Sequence, residues 1–191
     1  PPYHLSRLPD DSENTDLLHP DVTESLRRFA AMTGEIVTIH RWLSSRGIDR
    51  IGGWGGSIGA AVMVLAGQAV PFDHMAMMIP MVDFSTLIPS HPDMGPYVEL
   101  VENDGISRDL LQRAYGTISP ASYDLPVPSA RSLIMAAELD QLTPLSVIEG
   151  YARANGIGQL SVFPNSHTTI LLQRDVFAAY RAWLQTLSPE G

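Results

Sequence analysis

The stretch Arg50-Ile51-Gly52-Gly53-Trp54-Gly55-Gly56-Ser57-Ile58-Gly59 decides how this chain is read. A short apolar run, 50–54, enters a glycine-dense turn, and residues 58–68 beyond it are small and apolar on nearly every face. That is the succession strand, tight turn, buried helix. Gly55, Ser57 and Gly59 also match G-x-S-x-G, in which a serine is held on a strained strand-to-helix turn with its hydroxyl exposed while the flanking glycines allow close backbone approach. With glycine at 15 of 191 positions, about 0.1 such matches arise by chance. The pattern therefore draws its weight from its place at the end of a strand. The competing reading is a glycine-rich packing turn with an incidental serine.

Upstream, Asp21 and Glu24 form a capping pair, and Val22, Leu26, Phe29, Ile36, Ile39 and Leu43 recur at helical spacing up to Gly47, with Gly34 as an interruption. Downstream, the runs 74–82, 132–139 and 159–163 are apolar without alternation, as expected of strands covered on both faces in a parallel sheet. Thr143 and Pro144 open a helix that Gly156 closes, and Val176, Phe177, Tyr180, Trp183, Leu184 and Leu187 mark a final amphipathic helix. Strands alternating with helices predict an α/β class chain with a mostly parallel sheet flanked by helices. Residues 84–128 are proline-rich, with one evident helix around 107–115, and are too long for a plain connection. They read as a lid or cap inserted after a strand.

Composition narrows the chemistry. At 45% hydrophobic and 17% charged residues the chain can build a core. All twelve basic residues are arginine, and there is no cysteine. Disulfide scaffolds, cysteine metal sites, cysteine nucleophiles, Schiff-base lysines and P-loop lysines are thereby excluded. A net charge of −9 argues against nucleic acid as a partner and favours a neutral or cationic small molecule. The longest apolar run, 58–66, falls far short of the ~20 residues that span a bilayer. With no signal-peptide pattern, a soluble cytoplasmic protein is expected. The six histidines lack the clustered or i, i+4 spacing of a metal site, so neither metal nor other cofactor is expected.

A nucleophilic serine needs a base, and the base needs an orienting carboxylate. Asp140 directly follows the run 132–139, and His167 lies in a short loop after 159–163, both at carboxyl ends of strands. Alone, Asp140 is an ordinary turn or capping aspartate and His167 a loop histidine. Asp83, Glu138 and Asp124 remain alternatives for the acid, with Asp83, at the end of the preceding strand, the strongest of the three. Among the other histidines, His40 lies in the long helix, His74 at the amino end of a strand, His91 in the inserted segment where it could reach substrate, and His4 and His19 beside the leading loop.

The combination resembles the α/β-hydrolase superfamily. It is carried by Trp54-Gly55-Gly56-Ser57-Ile58-Gly59, by the acid turn Ala136-Ala137-Glu138-Leu139-Asp140-Gln141-Leu142-Thr143-Pro144, and by Pro164-Asn165-Ser166-His167. The opening Pro1-Pro2-Tyr3-His4 with Arg7 and Pro9 is also similar to the segment after the fourth strand in some bacterial dipeptidyl-peptidase-like and esterase-like members. The resemblance implies a serine hydrolase cleaving an ester or related acyl bond of a small-molecule substrate. Ser57 would be the nucleophile, His167 the base, Asp140 the orienting acid, and the Ile58 N–H one oxyanion donor. The family takes its second donor from a loop after the third strand, often with a His-Gly pattern, and no such segment occurs here.

That departure motivates a second hypothesis, a non-catalytic hydrolase-fold module that binds a ligand or a partner. A nucleotide-binding domain is disfavoured, because Gly52 to Gly59 does not give G-x-G-x-x-G with an acid about 20 residues on. Six methionines, Met63, Met75, Met77, Met78, Met81 and Met94, are candidates for an adaptable acyl pocket, although at strand and helix positions the core is their ordinary place. In such a fold the strand before the serine is the fifth of about eight. The expectation is a single domain over 1–191 that is the carboxyl-terminal part of a longer hydrolase, its amino-terminal strands absent and its sheet completed by a preceding segment or a partner chain.

Overall fold

The computed structural model describes residues 17–187. The opening Pro1-Pro2-Tyr3-His4 with Arg7 and Pro9 lies outside them. Helix α1 (Val22–Ser45) begins at Asp21, whose carboxylate accepts from Thr23 N at 2.9 Å. The capping pair is only half realised. Glu24 does not reach back to the Asp21 N–H, which donates to His19 Nδ1, but binds Arg27 at 2.7 Å and Arg28 at 2.8 Å along the helix. These ion pairs hold the Glu24 carboxyl down at about 2. Gly34 does not interrupt the helix.

Among the described residues four strands follow in one fully parallel sheet: β1 (Gly53–Gly56), β2 (Met75–Met78), β3 (Ser132–Ala137) and β4 (Leu160–Phe163), in spatial order β1-β2-β3-β4. Each step to the next strand is made in the same direction, so helices α2 (Ile58–Gly67) and α6 (Leu145–Ala154) come to one face of the sheet, while α7 (Arg174–Thr186) closes the other. Side chains divide accordingly by the two-residue strand period. Met75, Met77, Ile134 and Ala136 pack with Ala60, Met63, Val64, Ile148 and Tyr151. Ala76, Met78, Leu133, Met135 and Ala137 pack with Ile170, Val176 and Trp183. Both faces of β2 and β3 are buried, which is why their sequences run apolar without alternation.

Three boundaries differ from the sequence expectation. The run 50–54 predicted a strand, yet β1 begins only at Gly53. β2 stops at Met78 rather than continuing to residue 82, because Ile79 turns out of the sheet with φ +42°. The run 159–163 was expected to be covered on both faces, whereas β4 is an edge strand with Val162 exposed. β1 is the other edge among the described residues, with Trp54 exposed and close to Phe177 and Tyr180.

Between β2 and β3, where one helix was expected, the chain forms three: α3 (Phe84–Ser90), α4 (Gly95–Asn103) and α5 (Arg108–Gly116). They pack with α1 and α2 into a separate apolar cluster that includes Phe29, Phe84, Val98, Leu111 and Tyr115. The Phe29 and Phe84 rings meet edge-on at 5.0 Å, a pair worth about 0.5–1.5 kcal/mol beyond its buried area. No helix of the described residues is long and apolar enough to cross a membrane.

Candidate active site

The carboxyl ends of β1, β3 and β4 meet at one edge of the sheet, the place where open α/β sheets bind their ligands. Ser57 follows β1 directly, with φ +52° and ψ −121°, a conformation that costs an L-residue about 1–3 kcal/mol. The surrounding backbone holds it there. Ser57 N–H donates to Met78 O at 2.8 Å, and Ser57 O accepts from Ala60 N at 3.1 Å and Met81 N at 3.3 Å. The turn is tight enough that a Cβ on Gly55 would come within 2.5 Å of Gly59 O and 2.7 Å of Ala60 N. Of the two flanking glycines only Gly55 is sterically required, since a Cβ on Gly59 would meet open space.

The sequence candidates converge. Ser57 Oγ–H donates to His167 Nε2 at 2.9 Å, and His167 Nδ1–H donates to Asp140 Oδ2 at 2.7 Å. His167 comes from the loop between β4 and the 3-10 turn Thr169–Leu172, and its ring is mostly buried. Asp140 follows β3 and its side chain is fully enclosed. Its other oxygen, Oδ1, accepts from Leu142 N and Thr143 N, both at 2.9 Å, while Thr143 Oγ1–H donates to Oδ2 at 2.7 Å. Asp140 thus closes its own turn and also orients the imidazole. Burial pushes its carboxyl up, but the hydrogen bonds from His167 and Thr143 outweigh this and hold it below the ordinary carboxylate range.

The competing acids are elsewhere engaged. Asp83 caps α3, its Oδ1 accepting from Ser85 Oγ at 2.6 Å and Thr86 N at 3.1 Å. Burial raises its carboxyl, and these bonds lower it by more. Glu138 and Asp124 are exposed. Glu138 lies one residue beyond β3, not within it, and its N–H donates to Phe163 O.

Ile58 N–H, the first amide after Ser57, has no acceptor among the described residues and is free to meet a ligand oxygen. His91 lies at the amino end of the turn Pro92–Met94. Its Nδ1 accepts from Asp93 N at 3.2 Å, which leaves Nε2–H to donate to Gln141 O at 3.0 Å, beside Asp140. His40 is buried, with Nε2–H donating to Pro71 O at 2.6 Å, and His74 pairs with Asp73 at 3.1 Å at the amino-terminal edge of the sheet. His19 accepts from Asp21 N, and His4 lies outside the described residues.

Met63, Met75, Met77 and Met78 are buried in the core, and Met81 and Met94 pack against the cluster around Phe29 and Phe84. The exposed apolar side chains on the turns that flank the triad are instead leucines. A Cβ on Gly56 would meet Met78 Cε at 3.4 Å and Leu171 Cδ2 at 3.6 Å, and Leu139 and Leu142 beside Asp140, with Leu171 and Leu172 of the turn Thr169–Leu172, are all exposed. In the sequence, Thr143 stands out only as a helix opener and a member of the acid turn, Leu139 and Leu142 only as members of that turn, and Ile79 only as part of a strand run, while Leu171 and Leu172 carry no signal. For Thr143 the Asp-x-x-Thr spacing is the available signal, since a hydroxyl three residues on from a turn aspartate falls back onto its carboxylate. Among the described residues no group of three His, Asp or Glu side chains is placed to hold a metal ion.

No family model and no curated protein matches the sequence. Solved structures do match the fold, which is that of the α/β hydrolases. A puromycin-hydrolyzing peptidase from Mycobacterium tuberculosis superposes with a TM-score of 0.58 at 17% identity, over 84% of this chain and 26% of that one. An acylaminoacyl peptidase from Pyrococcus horikoshii gives 0.55 at 16%, over 80% and 27%. A protein assigned to the α/β hydrolase superfamily from Xanthomonas campestris pv. campestris gives 0.52 at 18%, over 84% and 69%. The chain therefore spans about a quarter of each peptidase and about two thirds of the third protein.

Proposed function

We propose that this chain carries the reacting centre of a serine hydrolase that cleaves an ester or related acyl bond through an acyl-enzyme. The supporting observation is the unbroken hydrogen-bonded line Asp140–His167–Ser57. Ser57 Oγ attacks the carbonyl carbon while His167 Nε2 takes its proton. The oxygen of the tetrahedral intermediate gathers negative charge against the Ile58 N–H. His167 then returns the proton to the departing alcohol or amine, and water repeats the sequence to release the acid. Asp140 stays ionised throughout, fixing Nδ1–H and stabilising the imidazolium.

Both leaving-group classes occur among the fold's neighbours, which include peptidases and carboxylesterases. The exposed leucines beside Gly56 and on the acid and base loops favour an uncharged, apolar acyl group. The helical segment 84–128 serves as a cap, joined to the acid turn through His91 and Gln141. The test is covalent labelling of Ser57 by a fluorophosphonate, together with turnover of p-nitrophenyl esters by the wild type and by Ser57→Ala. Labelling confined to Ser57 and turnover lost in the variant are expected. No adduct and no Ser57-dependent turnover would favour the non-catalytic binding module instead.

A further inference from the structure

Thr143 is fully buried at the floor of the site, and its hydroxyl is surrounded by polar atoms of three separate segments. It lies 2.7 Å from Asp140 Oδ2, 3.5 Å from His167 Nδ1 and 3.5 Å from Ile79 O. A threonine hydroxyl has one proton to give. The short contact assigns that proton to Asp140, on the same oxygen that receives His167 Nδ1–H. We propose that Thr143 is a positioning residue for the hydrolysis, holding the Asp140 carboxylate in the one orientation that aims His167 at Ser57. This rests on the function proposed above and adds to it a group that touches neither substrate nor serine.

Local geometry supports the assignment. Two backbone amides, from Leu142 and Thr143, anchor Oδ1, but both belong to the acid turn itself and leave the carboxylate free to pivot about that oxygen. Among the described residues only the hydroxyl of Thr143 and the imidazole fix Oδ2. Without the hydroxyl, His167 would be the single restraint on the group meant to restrain it. Ile79, whose carbonyl faces Thr143, is one of only two non-glycine residues with positive φ among those described, and Ser57 is the other. Strain held at both places is a mark of a site over-determined by its surroundings. Valine replaces the hydroxyl with a methyl of similar size, so Thr143→Val deletes the hydrogen bond while keeping the volume.

The test compares Thr143→Val with the wild type, and Thr143→Ala with Thr143→Ser, so that the hydroxyl is removed once with and once without the γ-methyl. Hydrogen bonds to charged groups are worth enough that a loss of about tenfold in kcat is expected for the valine and alanine variants, with KM within about twofold and serine restoring most of the rate. The acid limb of kcat/KM, which reports the base in the free enzyme, should move to lower pH in Thr143→Val, because a carboxylate free to pivot stabilises the imidazolium less well. The titratable groups around Thr143 are Asp140 and His167, with His91 one carbonyl removed at Gln141. Unchanged kcat and pH profile in Thr143→Val, or a serine variant as impaired as alanine, would overturn the proposal. The low-field proton resonance of His167 Nδ1–H provides a readout independent of turnover. Its displacement in Thr143→Val is expected even if Ser57 proves inert, and an unmoved resonance would overturn the positioning role by itself.

Discussion

Ser57 and Ile79 stand side by side at the ends of adjacent strands. Gly56 pairs with Met78 in the β1–β2 register, so each residue is the first beyond its strand, and each has positive φ. Ser57 N–H donates to Met78 O, and Met81 N–H returns to Ser57 O, stitching the two exits together. Ile79 N–H continues the line by donating to Met135 O of β3 at 2.7 Å. The serine is therefore fixed by the sheet's own ladder and does not depend on a flexible loop.

The two glycines around Ser57 should respond in opposite ways to alanine. In Gly55→Ala the new methyl meets backbone of Gly59 and Ala60, which cannot yield without moving the helix. A loss of about 2–3 kcal/mol is expected. Gly59→Ala fills open space at the start of α2 and should be neutral or gain about 0.5 kcal/mol from helix propensity. Urea unfolding of the two variants measures the contrast, and equal effects would contradict the geometry.

Asp140→Asn keeps the shape of the acid but turns an acceptor toward His167 into an NH₂ donor. Leu142 N and Thr143 N still find an oxygen at Oδ1, so folding should be little affected. Nδ1 then accepts, the imidazole proton moves to Nε2, and Ser57 loses its base. A fall in kcat of about 10³–10⁴ with unchanged KM is expected, in steady-state kinetics on an ester whose hydrolysis depends on Ser57.

Acid sensitivity should trace in part to the far end of the sheet. Asp73 is held at about 2, chiefly by the hydrogen bond from His74, with Arg131 and Arg50 adding to it against the opposing effect of burial. Arg131 clamps the same residue twice, Nη2 on Oδ2 at 2.5 Å and Nε on the carbonyl at 2.6 Å. A carboxyl lowered on folding stabilises the protein fully above its ordinary value near 3.8, and that contribution is lost as pH falls toward 2. Asp73→Asn should be less stable than wild type at pH 7, with a shallower decline between about pH 4 and 2.

Leu171 should set acyl preference. Replacing it with alanine removes apolar surface beside Gly56 without touching the hydrogen bonds of Ser57, His167 or Asp140. In a series of p-nitrophenyl esters, Leu171→Ala should lose more kcat/KM on long acyl chains than on acetate, by about tenfold for two or three buried methylenes at ~0.8 kcal/mol each with partial burial. A uniform loss along the series would remove Leu171 from the acyl pocket.

Much of this was legible because it is periodic or local. The buried strands β2 and β3 appear as unbroken apolar runs, and the order Ser57, Asp140, His167 places each residue just past a strand. The end of β2 was not legible. Nothing in Met77-Met78-Ile79-Pro80 forecasts that an isoleucine will take positive φ, since that conformation is imposed by the neighbouring strands. Helices α3 and α4 were hidden for another reason. Pro89 and Pro96 break the pattern into short pieces, and their stability comes from packing Phe84, Val98 and Val101 against α1 and α5 rather than from propensity. Asp140 is favoured over Asp83 already in the sequence, by its place in the acid turn, although both residues end a strand run; what the sequence does not carry is that Asp83 caps α3 while Asp140 meets His167.

Gly55 has a bearing on how such chains diverge. Its missing side chain is demanded by the contact of two backbones, whatever the neighbouring serine does, whereas position 59 faces open space. A chain that diverged from this one could change residue 59 without a clash but not residue 55. The two glycines of G-x-S-x-G therefore answer to different demands, the first to the contact of two backbones and the second to nothing that a side chain would touch.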